Sequence, residues 1–174
     1  EAVTAVCRGR TDDAASRLVG VERGGLAFWV AAVRECFEEA GLLLATEHGL
    51  ATWAPDAQEL KMVEKIALEA GFRTNDGKIN PAGDFWWSTM DDDGGRRPGV
   101  IFRTRRSGQT EAVIEGIHIA NTMSFSADGR RLLLADSQAQ TIFAYDTADL
   151  SRREVFAHTV GEAATPDGGA VDAE

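Results

Sequence analysis

Residues 80–86 read NPAGDFW, a glycine-containing turn that leads into a strand, and the same pattern returns 46 residues later as SADGRRL over 126–132. An apolar run that ends in an acidic residue follows each turn, at 87–91 and again at 133–136, and an aromatic strand comes next each time. A period of about 40–50 residues with four short strands per unit is typical of a propeller blade. A generic β-meander with coincident turns is the alternative, but the ordered recurrence of turn, strand and next strand favours the blade.

The composition excludes several classes of protein. The 174 residues are 44% hydrophobic and 26% charged, which is ordinary for a globular protein and leaves no room for two large domains. A net charge of −10 argues against a nucleic-acid binder that relies on a basic surface. An acidic balance fits a soluble cytoplasmic protein and equally a protein that holds cations. Cys7 and Cys36 are too few for a disulfide scaffold, and no apolar run reaches the roughly 18 residues of a membrane span.

The two parts of the chain follow different patterns. Residues 1–45 are predicted to be helical, because apolar residues recur at three- and four-residue steps between Ala27 and Ala40. Residues 46–174 are predicted to be short strands separated by turns such as 127–129. We therefore predict a mainly β chain with an α-helical N-terminal segment and a boundary near residue 45. Both ends look cut, so we expect a fragment or a fusion of two incomplete families.

Several motifs of the second segment occur together in one order and spacing. They are RTNDGKINPAGDFW at 73–86, IAN at 119–121, FSADGR at 125–130, DS at 136–137 and TPDGGAVD at 165–172. In this arrangement the segment resembles the family of senescence marker protein, gluconolactonase and luciferin-regenerating enzyme, which includes regucalcin. The resemblance implies a six-bladed β-propeller, of which residues 46–174 would form about three blades. It also implies one divalent cation (Ca²⁺, Mg²⁺, Mn²⁺ or Zn²⁺) on the central axis and hydrolysis of a small-molecule sugar lactone.

The same resemblance assigns the site residues. By matching motif, Asn121 and Asp167 are metal ligands, and Arg73, Asn75 and Asp93 contact the substrate. Amide and carboxylate oxygens are hard ligands that suit these cations, and a bound cation would polarise the lactone carbonyl. Asp167 would take a proton as general base, and Arg73 would hydrogen-bond the substrate's oxygens. Taken without the resemblance, the residues around Asn75 and Asp167 are typical of ordinary turns.

The segment departs from the family pattern in two places. Thr122 follows the ligand Asn121 at a position where the family commonly has glycine. No segment matches the first-blade glutamate that the family uses as a further ligand. About three blades would leave the axial site half-lined, because a propeller covers its strand edges by closing the ring. We therefore expect either an inactive fragment or self-association through open blade edges.

The first segment resembles a different family. Residues 34–42, RECFEEAGL, are similar to the core of a Nudix box, and residues 24–45 resemble the branch allied to coenzyme A diphosphatases. The resemblance implies Mg²⁺ binding at Glu35, Glu38 and Glu39, whose three- and four-residue spacing groups them on one sector of a helix. A solvated acidic helix face is the alternative. A complete Nudix domain also needs a mixed sheet around that helix, which residues 1–45 cannot supply.

Three functions therefore remain open at the level of the sequence. The first is metal-dependent lactone hydrolysis with Asp167 as the catalytic residue. The second is Mg²⁺-dependent diphosphate hydrolysis through the three glutamates of the Nudix-like helix. The third is a fragment without catalysis that binds a cation or a partner protein. None of the three involves a nucleic acid or a membrane.

Overall fold

The described part of the chain consists almost wholly of strands. The computed structural model describes residues 13, 16, 17, 22, 23, 42–46, 48–54, 58–161 and 165–171. Its strands in chain order are β1 (Leu42–Thr46), β2 (Gly49–Ala54), β3 (Glu59–Lys65), β4 (Phe72–Ile79), β5 (Phe85–Asp91), β6 (Gly99–Thr104), β7 (Thr110–Ile117), β8 (Ala120–Phe125), β9 (Arg131–Asp136), β10 (Thr141–Asp146) and β11 (Asp149–His158). The prediction of a mainly β chain is confirmed.

Two four-stranded sheets repeat the same topology. One has the order β4-β5-β6-β7 and the other β8-β9-β10-β11, and neighbouring strands are antiparallel in both. Each sheet is a meander in chain order, which is the topology of a propeller blade. The remaining strands form a three-stranded sheet of order β1-β2-β3. The two repeats predicted from the 46-residue step therefore correspond to two blades.

The chain divides into two compact units. One comprises Glu1–Leu44 with Ala51–Val63, and the other comprises Ala45–Leu50 with Glu64–Glu174. Both blades, and all the site residues predicted for the propeller, belong to the second unit. The site and its contacts are therefore features of this unit alone.

The repeated turns have the same geometry in both blades. The amide of Gly83 donates to the carbonyl of Asn80 at 2.9 Å, and the amide of Gly129 donates to the carbonyl of Ser126 at 2.8 Å. Both glycines have positive φ angles, 86° and 70°, which are strained for a residue with a Cβ atom. The side chains of Asn80 and Ser126 each accept an amide hydrogen bond from the far side of the turn. The recurrence in sequence thus reflects one turn that is built twice.

A hydrophobic core joins the strands of the two blades. Its buried members are Trp86, Ile101, Ile114, Ile117, Ala120, Met123, Phe125, Leu132, Leu134 and Tyr145. Trp86 of β5 and Phe125 of β8 make an edge-to-face contact with ring centroids 5.3 Å apart, which bridges the two sheets. Strands β5 and β9 are buried over most of their length. This packing places β4 and β8 beside each other; they are the first strand of each blade, and we call them the innermost strands.

The N-terminal prediction falls mostly outside the described residues. The Nudix-like helix lies there, and so do its proposed ligands Glu35, Glu38 and Glu39. Strand β1 spans Leu42–Thr46, so residue 45, the predicted boundary, lies within a strand. No helix in the described part of the chain is both long enough and apolar enough to cross a membrane.

Candidate functional site

The innermost strands of the two blades carry the same irregularity. The pairing of β4 with β5 shifts between Thr74 and Gly77, and the pairing of β8 with β9 shifts between Asn121 and Ser124. In both places the inner strand has one residue more than its partner, which defines a β-bulge. Bulges redirect side chains and are common beside functional sites. Asn75 lies within the first bulge, and Asn121 lies at the edge of the second.

Asn75 and Asn121 are 46 residues apart in sequence and in contact in the structure. The side-chain amide of Asn75 donates to the backbone carbonyl of Ala120 at 2.9 Å and lies 3.3 Å from Oδ1 of Asn121. Arg73 in turn donates from Nη1 to Oδ1 of Asn75 at 3.0 Å. Three of the residues predicted for the site therefore form one continuous hydrogen-bonded group.

Arg73 is held from two sides. Its Nε atom lies 2.9 Å from a carboxylate oxygen of Asp92, and its Nη1 atom also donates to the backbone carbonyl of Thr74 at 2.9 Å. Together with the bond to Asn75, these contacts fix the plane of the guanidinium. The contacts found for Arg73 among the described residues involve Nε and Nη1. Nη2 is therefore the group that can donate to a ligand.

Asp167 belongs to the described segment 165–171, which lies against β8. Thr122 Oγ1 donates to the carbonyl of Asp167 at 2.5 Å. The side-chain amide of Asn121 donates to Ser137 Oγ at 2.8 Å, and that hydroxyl donates to the carbonyl of Pro166 at 2.5 Å. Only two hydrogen bonds therefore separate the Asn121 side chain from the backbone immediately before Asp167.

Close backbone packing completes the contact between this segment and β8. A Cβ atom added to Gly169 would lie 2.7 Å from Cγ2 of Thr122 and 3.1 Å from Oγ of Ser124. Only glycine allows so close an approach without a shift of its neighbours. The buried hydroxyl of Ser124 has no hydrogen-bond partner among the described residues. The segment is thus held at residues 166, 167 and 169.

Asp93 is the predicted site residue that does not join this group. Its carboxylate forms an exposed ion pair with Arg96 at 2.8 Å, whereas Asp92 is the acidic residue that contacts Arg73. Asp91 has a different environment again. It is 2% exposed and accepts hydrogen bonds from the side chain and the backbone amide of Arg97. The side-chain hydrogen bond from Arg97 holds the pKa of Asp91 below its usual value.

Two further residues of the site were not assigned a role from the sequence. Ser137 joins Asn121 to Pro166, as described above. Asp76 accepts a hydrogen bond through Oδ2 from the backbone amide of Met123 at 3.0 Å, which ties β4 to β8. The sequence spacing by itself links three of the predicted residues, because Asn75, Asn121 and Asp167 follow each other at intervals of 46 residues. They therefore occupy one equivalent position in successive repeats.

The donor set fits part of a site for a hard cation. The NH₂ group of Asn121 donates to Ser137, so the amide oxygen is the end that can bind a cation, through the lone pair that the long contact from Asn75 leaves available. Asp167 contributes an exposed carboxylate. Oxygen ligands of these types suit Ca²⁺ and Mg²⁺. Within the described ranges, no cluster of three or more His, Cys, Asp or Glu side chains could hold a metal ion. Water and substrate would therefore have to supply several of the remaining positions.

Comparison with known proteins identifies the family. The sequence model of one protein family, the SMP-30/Gluconolactonase/LRE-like region, matches residues 7–174. The chain belongs to this family. The match also runs through most of the segment that resembles a Nudix box, and no comparison supports the Nudix resemblance. A single family therefore covers both of the segments predicted from the sequence.

Individual members of the family are similar to this chain. A pentonolactonase of Haloferax volcanii is 34% identical over 111 residues, and regucalcin of Danio rerio is 28% identical over 125 residues. These alignments cover 60% and 67% of the chain, respectively. The crystal structure of a calcium-binding regucalcin from Agrobacterium tumefaciens matches 76% of the chain with a TM-score of 0.69 and 26% identity. The fold described above is thus the fold of this family.

The chain corresponds to part of each of these relatives. It covers 37% of the length of the pentonolactonase, 42% of the Danio rerio regucalcin and 46% of the bacterial regucalcin structure. The chain therefore spans less than half the length of these relatives. Only this portion of the family site can be described from the residues present.

Proposed function

We propose that this protein hydrolyses a lactone with the help of one divalent cation that Asn121 and Asp167 bind. The observation that supports this proposal is the continuous group of contacts from Arg73 through Asn75 and Asn121 to the backbone at Asp167. These residues come from two blades and from the segment that follows them, so their meeting is not a consequence of local sequence. A converging set of polar side chains at one end of two inner strands is the expected form of a binding site.

Each residue has a role that suits its environment. Asp167 is exposed and carries a carboxylate, so it can bind the cation and accept a proton from the attacking water. Arg73 is fixed by Asp92 and Asn75, and its Nη2 group donates to an oxygen of the substrate. Asn75 orients both Arg73 and Asn121 through its two amide ends. When bound, the cation supplies Lewis acidity that polarises the ester carbonyl.

A sugar lactone is the proposed substrate class. The similar protein from Haloferax volcanii is a pentonolactonase, and the family description includes gluconolactonase. A guanidinium with a free donor and a cation bound by hard oxygen ligands both recognise oxygen-rich small molecules. The substrate's contact with Asp93 remains a prediction, as do cytoplasmic localisation and self-association through blade edges.

The proposal is tested by turnover of gluconolactone in the presence of Ca²⁺, Mg²⁺, Mn²⁺ or Zn²⁺. Proton release is followed in a weakly buffered solution with a pH indicator, after subtraction of the spontaneous rate. We expect Asp167→Asn to lower kcat about 100-fold or more, since it removes a proposed ligand and the base. Asp149→Asn is the matched control, because Asp149 is exposed at the start of β11 and, within the described residues, its carboxylate accepts hydrogen bonds from its near neighbour Ser151.

The same assay separates the alternatives. Equal activity of Asp167→Asn and the wild type would contradict the assignment of Asp167. Absence of lactone turnover with all four ions would favour a fragment without catalysis. Hydrolysis of coenzyme A in Mg²⁺ that disappears in Glu38→Ala would favour the diphosphatase alternative instead.

A further inference from the structure

Two hydroxyl groups hold consecutive carbonyls of the segment 165–171. Ser137 donates to the carbonyl of Pro166 and Thr122 to the carbonyl of Asp167, both at 2.5 Å. We refer to Thr122 and Ser137 as the hydroxyl clamp. Lys78 adds a longer contact from Nζ to the carbonyl of Gly169 at 3.5 Å. The clamp therefore acts on the two peptide units that flank the Cα atom of Asp167.

Ser137 uses both hydrogen-bonding functions of its hydroxyl. The oxygen accepts from the side-chain amide of Asn121, and the hydrogen is donated to Pro166. The side chain is nearly buried, so water competes little for either bond. The Ser137 hydroxyl thus orients the Asn121 amide with its NH₂ group toward Ser137 and its oxygen away. The same hydroxyl holds the carbonyl of Pro166, immediately before Asp167.

Thr122 has an unfavourable backbone conformation. Its φ angle is 57°, in the left-handed region that glycine adopts freely and a β-branched residue rarely does. Glycine could not donate the side-chain hydrogen bond to Asp167. The threonine therefore combines a local conformational cost with a contact that glycine lacks.

From these contacts we infer that Thr122 and Ser137 are positioning residues, which place Asp167 beside Asn121 so that both bind one divalent cation. This inference rests on the proposed metal site. The hydroxyl clamp reaches Asn121 and both sides of Asp167, and residues that orient metal ligands typically change affinity by about 10–100-fold when they are removed. A role in metal binding also accounts for threonine at a left-handed position.

The test is calorimetric titration of the full chain with Ca²⁺ and, separately, Mn²⁺. We expect Thr122→Val and Ser137→Ala to raise the dissociation constant about tenfold or more. Thr122→Ser retains the hydroxyl and should restore tight binding. Thr147→Val is the matched control: the Thr147 hydroxyl donates to the carbonyl of Gly129 at 2.6 Å, outside the hydroxyl clamp, and its loss should leave ion affinity unchanged.

Thr122→Gly separates the hydroxyl from the backbone conformation. Glycine removes both the hydroxyl and the strain, whereas valine removes only the hydroxyl. We therefore expect Thr122→Gly to melt at a higher temperature than Thr122→Val and yet to bind the ion as weakly. A residue that served folding alone would not separate stability from affinity in this way.

The outcomes distinguish this inference from the proposed function. Wild-type affinity in Thr122→Val and Ser137→Ala, with binding lost in Asp167→Asn, would overturn the inference and leave the metal site standing. Absence of ion uptake by the wild type would refute the metal site and the inference together. Weak binding by Thr122→Ser, in a variant that melts like the wild type, would also refute the role of the hydroxyl.

Discussion

Replacement of Asp76 by alanine should destabilise the second unit more than the same replacement of an exposed carboxylate residue would. Asp76 Oδ2 accepts the backbone amide of Met123 at 3.0 Å, and Oδ1 accepts the amide of Gly77 at 2.8 Å. Met123 is 1% exposed, so its amide would lose its partner without access to water. The bond to Gly77 is local and exposed, and contributes little. Asp76 is therefore chiefly a link between the inner strands β4 and β8.

The expected magnitude follows from that single buried donor. Hydrogen bonds to charged groups contribute about 1.5–3 kcal/mol, and a buried donor left without a partner costs about 1–3 kcal/mol. Because these two figures overlap in what they count, we expect Asp76→Ala to lower the free energy of unfolding by about 2–4 kcal/mol. Asp76→Asn retains an acceptor oxygen and should lose about half as much.

Urea unfolding followed by tryptophan fluorescence measures the effect. Trp86 and Trp87 are 1% and 0% exposed and lie in β5, so their emission reports on the blades. A loss of 2–4 kcal/mol corresponds to a midpoint shift of about 1–2 M for an m-value near 2 kcal/mol per M. Asp149→Ala is the control, since in the described part of the chain its exposed carboxylate bonds to Ser151, two residues away at the start of β11. Equal midpoints for Asp76→Ala and Asp149→Ala would refute the link between the strands.

Two further predictions concern the blade that contains β5 and β6. A Cβ atom at Gly99 would lie 1.9 Å from the carbonyl oxygen of Thr89, so Gly99→Ala should cost about 3 kcal/mol or more in urea unfolding. Gly108→Ala meets nothing within 4 Å and should cost only the 1–2 kcal/mol or so of its left-handed φ; equal losses would contradict the packing. Because Arg97 lowers the pKa of Asp91 from 3.8 in the folded state, the stability from this pair is present above about pH 4 and lost as the pH falls below it. Asp91→Asn should therefore flatten the fall of melting temperature below pH 4, and an unchanged slope would refute the role of the pair.

The repeat in the sequence was sufficient to predict the blades. The turns at 80–83 and 126–129 depend on residues within five positions of one another, so they can be predicted from the sequence alone. The strand that follows each turn, β5 or β9, begins two residues before the apolar run and ends at the acidic residue that closes the run. The Nudix resemblance has no support from the comparisons. It rests on nine residues, 34–42, whereas the family match extends over residues 7–174.

The group of site residues was only partly predictable. Motif resemblance pointed to Arg73, Asn75, Asn121 and Asp167, and the structure connects all four through hydrogen bonds. The motif resemblance could not indicate that Asp92, and not its neighbour Asp93, contacts Arg73. Neighbouring aspartates have the same chemistry, and the conformation of the turn after β5 decides which of them reaches the guanidinium.

The sequence by itself determined the repeat, the turns and the strand composition, because these depend on backbone preferences of residues that are close in the chain. Tertiary structure alone decided the contacts of Asp76 with Met123 and of the hydroxyl clamp with residues 166 and 167. These pairs are separated by 29 to 47 positions, and their geometry depends on how one blade packs against the next. A left-handed threonine at position 122 likewise has no signature in sequence, since its conformation is set by the bulge in which it lies.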